Sequence, residues 1–202
     1  MPRRPRDPIA TRNAILGAAE AVFSERGFGD ASMSGIAARG AITQSLIHHH
    51  FGSKQALWQA VKQRRIGPYL ETIGKMIERG GGGVSDMPEG VRALFDLLRE
   101  NPRLVRIMAW SLAEGPERAA REGMGDTSLI GATVERLRAL QREGDFRDDV
   151  DPIALFIAYF ALTEYWFLRR NALQTALGDE LPSDEVYLDT IVKLLARGAS
   201  DP

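Results

Sequence analysis

Apolar residues recur along this chain at intervals of three and four, and nowhere do they alternate with polar ones long enough to mark a strand. Ile15, Ala18, Ala19, Val22 and Phe23 fall on one helix face. Arg26-Gly27-Phe28 closes that helix, because Gly27 can take the left-handed conformation that ends one. Ser32 can cap a second helix over Met33, Ile36 and Ala37, and Thr43 a third that runs to Phe51. Three short helices are thus marked before residue 52, and the expected fold class is all-α.

The same period continues. A fourth helix is expected to start near Ser53 and run through Leu57, Trp58 and Val61. Gly67-Pro68 should interrupt it, since proline has no N–H and disfavours helical geometry just before it. The run then resumes through Ile73 and Ile77 until the loop Gly80-Gly81-Gly82-Gly83. Further helices are expected at about 88–99, 102–114, 127–143, 152–177 and 183–197, each opened by Pro, Thr or Ser, for about nine in all. On the 152–177 helix, Ile153, Phe156, Ile157, Tyr159, Phe160, Leu162, Trp166 and Phe167 cover more than one face. A surface helix needs one apolar stripe, so this one must be buried on several sides.

Helical geometry assigns faces within Thr43–Phe51. With Ile47 at zero degrees and about 100 degrees per residue, Thr43, Gln44, His50 and Phe51 lie within about 60 degrees of it. Ser45 and His49 lie about 160 and 200 degrees away, flanked by Leu46 and His48. Ser45, His48 and His49 therefore point away from the core. Thr43 caps a positive helix end, which favours a nearby phosphate, and a second such start follows at Ser53-Lys54. Two short helices around a tight turn, with a polar strip on the second, suit the DNA major groove.

On these residues, positions 11 to about 62 resemble the DNA-binding domain of the tetracycline-repressor-type (TetR family) transcriptional regulators. The resemblance rests on Ile15-Leu16-Gly17-Ala18-Ala19 with Val22-Phe23, then Gly27-Phe28, Ile36-Ala37, His50-Phe51, and Lys54 with Leu57. Two departures stand out. The family has Ala-Gly at the turn where this chain has Gly40-Ala41, which shifts the flexible residue. It also has Tyr, commonly a phosphate contact, where this chain has the shorter His48. The resemblance implies DNA contacts from Ser32, Thr43, Gln44, Ser45, Leu46, His48, His49 and Lys54, with His49 on a base or phosphate and His50 packing at the helix end.

The same resemblance implies an N-terminal three-helix helix-turn-helix domain (1–52 with the N-terminal arm), a connecting helix 4 (53–79) and a C-terminal helical effector-binding and dimerisation domain (80–202). The phrase Gly144-Asp145-Phe146-Arg147-Asp148-Asp149-Val150-Asp151-Pro152 resembles the loop that many members carry before the penultimate helix. Pro152–Leu177 and Ser183–Arg197 are then the dimer-forming helices, through Ile157, Phe167, Tyr187, Leu188, Ile191 and Leu195. Leu104, Ile107, Met108, Trp110, Phe156, Tyr159, Phe160, Tyr165 and Trp166 line either an effector pocket or an ordinary core; an apolar or aromatic small molecule suits the first. Glu164 belongs with that pocket, because a carboxylate in so apolar a segment is costly to bury unless it meets a ligand, a cavity or the dimer seam. The other reading of Glu164 is a solvated edge.

Composition sets bounds on these expectations. With 202 residues, 44% of them hydrophobic and 26% charged, the chain can form one or two domains with a substantial core. No apolar run reaches the eighteen or so residues of a membrane span, Met-Pro-Arg-Arg-Pro-Arg lacks the apolar core of a signal peptide, and cysteine is absent. The cytoplasm is the expected location. The net charge of −1 conceals an asymmetry: residues 1–65 hold ten Lys or Arg against four Asp or Glu. That is a basic footprint for nucleic acid. Arg3, Arg4 and Arg6, spaced by Pro2 and Pro5, are either a solubilising tail or an arm for phosphate and minor-groove contacts.

Other chemistry is thin. The three histidines are consecutive, whereas a helical metal pair wants a spacing of three or four so that both rings share a face. No cofactor or metal is implied. An enzyme would have to use Asp148, Asp149 and Asp151, or Glu114 and Glu164, and turn grammar already explains the aspartates. The Gly80–Gly83 run lacks the Lys-Ser/Thr of a phosphate loop. The expected function is a homodimeric transcriptional regulator, a repressor that binds a palindromic operator and is released by a small molecule, with Gly67-Pro68 as hinge. The alternatives are a constitutive DNA-binding dimer and a small-molecule-binding helical protein without regulated operator binding.

Overall fold

The computed structural model describes residues 7–78, 87–113, 127–145 and 147–199, and among these all regular structure is helical. The described chain forms two compact units. One runs to Pro68 and takes the chain again from Arg106; the other holds Tyr69–Val105 and the later helices. The arginine arm, the Gly80–Gly83 run, Glu114 and Phe146 lie outside the described residues.

The first unit contains α1 (Pro8–Asp30), α2 (Met33–Arg39), α3 (Gln44–Phe51) and the start of α4 (Lys54–Glu78). Side-chain caps open the helices as the sequence predicts. Ser32 accepts from Gly35 N at 3.0 Å, Thr43 from Leu46 N at 3.3 Å and Ser53 from Ala56 N at 3.1 Å. Ile15, Ala19, Phe23, Ile36, Ile47, Leu57, Trp58 and Val61 are wholly buried, with the Phe23 and Trp58 rings 4.9 Å apart. The sequence face Ile15 to Phe23 is therefore this core. Arg65 reaches the buried Glu20 at 2.5 Å and ties α4 to α1.

Gly27 has φ 73° and breaks the helical path of α1 where the sequence places its end. A Cβ there would also lie 2.7 Å from the ring of Trp110, which belongs to α6 (Pro102–Ala113). The turn between α2 and α3 works differently from the expectation. Gly40 is right-handed (φ −89°), and Ala41 holds the left-handed conformation at φ 49°. A Cβ on Gly40 would lie 2.9 Å from the Ala18 Cβ. Glycine is thus required at 40 by close approach to α1, and not for its φ.

Gly67-Pro68 does not interrupt α4. One helix runs through Pro68 to Glu78. A proline inside a helix removes one backbone donor without forcing a break when packing holds both sides, and here Ile66 and Tyr69 on either side are buried. The division between the two units still falls directly after Pro68.

The second unit is built on α5 (Met87–Glu100), α7 (Thr127–Glu143), α8 (Pro152–Leu177) and α9 (Asp184–Ala199), with a 3-10 turn at Gly178–Glu180. Helix α5 packs on α8 and α9, and α7 on α8. Asp151 caps α8 by accepting from Ile153 N and Ala154 N. The core joins Val91, Phe95, Leu140, Leu155, Trp166, Leu188, Ile191 and Leu195. Trp166 stacks on Tyr187 at 4.2 Å and donates to Asp184 at 2.9 Å, while the Tyr187 hydroxyl donates to the Leu162 carbonyl at 2.6 Å.

This core places two sets of expected residues. Leu188, Ile191 and Leu195, expected at a dimer seam, are buried within the chain's own core, and Phe167 and Tyr187 pack against the same cluster. Trp166, for which the sequence left a pocket or an ordinary core open, lies in the core and donates to Asp184. The cause is the same in both cases: α8 and α9 carry apolar residues on two faces, so periodicity alone cannot say which face turns inward.

Candidate DNA-reading surface and second-unit carboxylate

Helix α3 is held from beneath by Ile47, which is fully buried, while Gln44, Ser45, His48 and His49 are exposed. Thr43 is exposed as well, and Leu46, His50 and Phe51 are half-buried. Thr43 and Gln44 thus stand clear of the core although their angles bring them near Ile47, because they begin the helix where no described residue covers them. The helix is fixed at its other end by His48. Its Nδ1 lies 2.8 Å from the Gly52 carbonyl, so Nδ1 carries the proton, and in the neutral ring Nε2 faces Gln44 Nε2 at 3.4 Å as acceptor. Arg12 from α1 lies over the Phe51 ring at 5.0 Å. The result is a short helix that exposes four polar side chains, Gln44 and His48 bonded to each other and Ser45 and His49 beside them, on the face that would meet base edges or phosphates.

Lys54 is placed otherwise. Its ammonium donates to the carbonyls of Phe28 and Ala31 at 2.8 Å and of Gly29 at 3.3 Å, above the Phe28 ring. Three N–H groups meet three acceptors. The structure therefore makes Lys54 a clamp on the end of α1 and leaves it no donor for the phosphate that the sequence assigned to it.

In the second unit, Phe156, Phe160 and Glu164 recur every fourth residue and share one face of α8. The Phe156 and Phe160 rings are 4.8 Å apart and those of Tyr159 and Phe160 5.1 Å; all are half-buried. Glu164 Oε1 accepts from the Tyr69 hydroxyl at 2.7 Å. Among the described residues no Lys, Arg or His pairs with this carboxylate. Burial pushes its pKa up, and the Tyr69 hydrogen bond offsets part of that rise. The Tyr69 phenol is itself raised, by burial first and then by the Glu164 charge and hydrogen bond; burial also raises Tyr159. Among the described residues no group of three or more metal-ligating side chains is placed to hold a metal ion, and no described helix is long and apolar enough to cross a membrane.

Comparison with known proteins gives this geometry its context. Residues 15–61 match the family model described as bacterial regulatory proteins, tetR family, and residues 86–196 match the tetracyclin repressor-like C-terminal domain. The chain belongs to the TetR family. It is 32% identical to the HTH-type transcriptional regulator UidR of Escherichia coli over 146 residues, 70% of this chain and 71% of that one. It is 26% identical to the HTH-type transcriptional repressor NicS of Pseudomonas putida, across 93% of this chain and 92% of the other. Among solved structures, the transcriptional regulator SCO4942 of Streptomyces coelicolor superposes with a TM-score of 0.73 at 21% identity, covering 95% and 99% of the two chains. The protein is therefore a DNA-binding transcriptional regulator with an all-helical fold, in a family of regulators and not of enzymes.

Within this TetR-family regulator the expected effector residues separate. Phe156, Tyr159, Phe160 and Glu164 cluster on α8. Leu104 is buried in the same unit, whereas Met108 and Trp110 belong to the reader unit, where Trp110 covers Gly27 and donates to the Ser24 carbonyl at 3.4 Å. Of the expected dimer residues, Ile157 is 58% exposed. Ile153 and Tyr165 on α8 are exposed as well, and so are Val186 and Leu194 on α9, which the sequence did not single out. Tyr69 was also missed. Its only sequence signal was an aromatic residue directly after the proline, and nothing in the linear chain pairs it with position 164.

Proposed function

We propose that this TetR-family regulator is a homodimeric repressor that reads a palindromic operator with α3 and is released by a small molecule bound in the second unit. The observation that carries the reading is α3 itself: a helix fixed at both ends over Ile47, presenting Gln44, Ser45, His48 and His49. A two-fold dimer would bring two such helices to half-sites about 34 Å apart, one turn of DNA. The exposed Ile153, Ile157, Tyr165, Val186 and Leu194 are the seam we assign to that dimer, since exposed apolar residues on two helices that pack on each other suit an isologous four-helix contact.

Release is a population shift, so the effector must bind the DNA-incompetent state more tightly. Helix α4 runs continuously from Lys54 in the reader to Tyr69 and beyond in the second unit, with Pro68 as its weakest point. We place the hinge there. The regulator would work in the cytoplasm, where its operator is. The test is binding of the full chain to fragments of its own upstream region against random DNA at fixed physiological salt. Selective binding supports the repressor reading; salt-dependent binding without selectivity replaces it with a constitutive DNA-binding dimer.

A further inference from the structure

Glu164 is half-buried on α8, and among the described residues its partner is a neutral phenol, with no counter-ion. A carboxylate removed from water without a counter-ion is costly, and a single neutral donor repays part of that cost only. The surroundings are aromatic: Phe160 lies one turn away on the same face, Phe156 a turn further, and Tyr159 packs edge-on against Phe160. The Tyr159 hydroxyl is itself seated against α5, 3.0 Å from where a Cβ on Gly90 would be. A carboxylate beside aromatic faces is the combination that recognises a positively charged organic group, through an ion pair and cation–π contacts together.

We propose that Glu164, Tyr159, Phe160 and Phe156 form the binding site of an organic cation, a protonated amine or amidinium on an aromatic or apolar body, and that the Tyr69–Glu164 hydrogen bond is the latch the cation opens. This rests on the effector reading above and names the chemistry of that effector. The latch follows from competition. A cationic N–H aimed at Glu164 displaces the Tyr69 hydroxyl, and a buried phenol without an acceptor is destabilised until it moves. Tyr69 is the first α4 residue past Pro68, so that movement is delivered to the helix that continues into the reader.

The test titrates the full chain by calorimetry with benzylamine and benzamidine as cations, benzoate as the anion and benzyl alcohol as the neutral control, at up to millimolar concentration. The cations should bind in preference to the matched anion and alcohol. Glu164→Gln, which keeps an acceptor for Tyr69, should weaken the cations at least about tenfold and leave benzyl alcohol unchanged. Tyr69→Phe should tighten the cations about two- to tenfold, because the competing donor is gone. That gain separates a latch from a merely structural tyrosine, whose loss would weaken binding or leave it alone. The proposal is overturned if neither cation binds, if benzoate binds as well, if Glu164→Gln has no effect, or if Tyr69→Phe fails to tighten. Operator binding measured alongside separates the two readings. Cations that bind through Glu164 without releasing operator sink the ligand-released repressor but not the site; release by neutral or anionic probes alone sinks the cation site but not the repressor.

Discussion

Ala41 holds a backbone conformation that costs an L-residue about 1–2 kcal/mol, while Gly40 beside it is right-handed and has no room for a Cβ against Ala18. Ala41→Gly should therefore stabilise the reader by about 0.5–1 kcal/mol in chemical denaturation, the gain reduced by the greater freedom of glycine when unfolded. Gly40→Ala should destabilise it instead. Lys54→Met should lower stability by about 1–3 kcal/mol by stripping donors from three carbonyls, while the slope of DNA affinity against salt stays as it was. A slope reduced by one unit would return Lys54 to the phosphate. Glu164 predicts a pH effect whose sign is fixed. Its folded pKa lies above the ordinary 4.5, so the folded state holds the proton more tightly. The associated stability is fully present below 4.5 and is lost as pH rises through the raised value. Thermal melts of the ligand-free protein should show Glu164→Gln losing less stability than the parent chain across that rise.

Among the helices, the ends were legible and the faces less so. Capping residues announce themselves locally, which is why Ser32, Thr43, Ser53 and Asp151 begin helices where the sequence says. The α3 face was readable because Ile47 is its sole buried residue. On α9, Leu188, Ile191 and Leu195 were as apolar as Val186 and Leu194, and which set turns inward depends on α5 and α8 lying against it. The corrected phase changes what each substitution should do. Leu194→Glu should shift the protein toward monomer in sedimentation while its melting temperature is held, whereas Ile191→Glu should unfold it. On α3, Gln44→Ala or His49→Ala should cost about 1–3 kcal/mol of operator affinity and relax base preference. Equal losses on operator and random DNA for His49→Ala would remove it from base reading.

At the scale of the whole chain, the sequence conveyed the family, the helical class and the basic N-terminal third, because each is a property of local pattern or charge. What it could not convey were the pairings of distant residues: Tyr69 with Glu164, Lys54 with the end of α1, Trp110 with Gly27. Pro68→Ala tests the hinge, since restoring a backbone donor at the division between the units should stiffen α4 there. Operator affinity and ligand response should change together; if both stay unchanged, the hinge lies elsewhere.

The tryptophan over Gly27 has one more implication. The α3 side chains assigned above to DNA are all encoded before residue 52, yet a side chain from position 110 covers Gly27 in the same unit. On the ribosome, the three reader helices emerge long before their cover does. A polypeptide cut after α4 would keep the α3 side chains but leave the Gly27 corner without its cover, so a detached reader should melt below the same unit in the full chain.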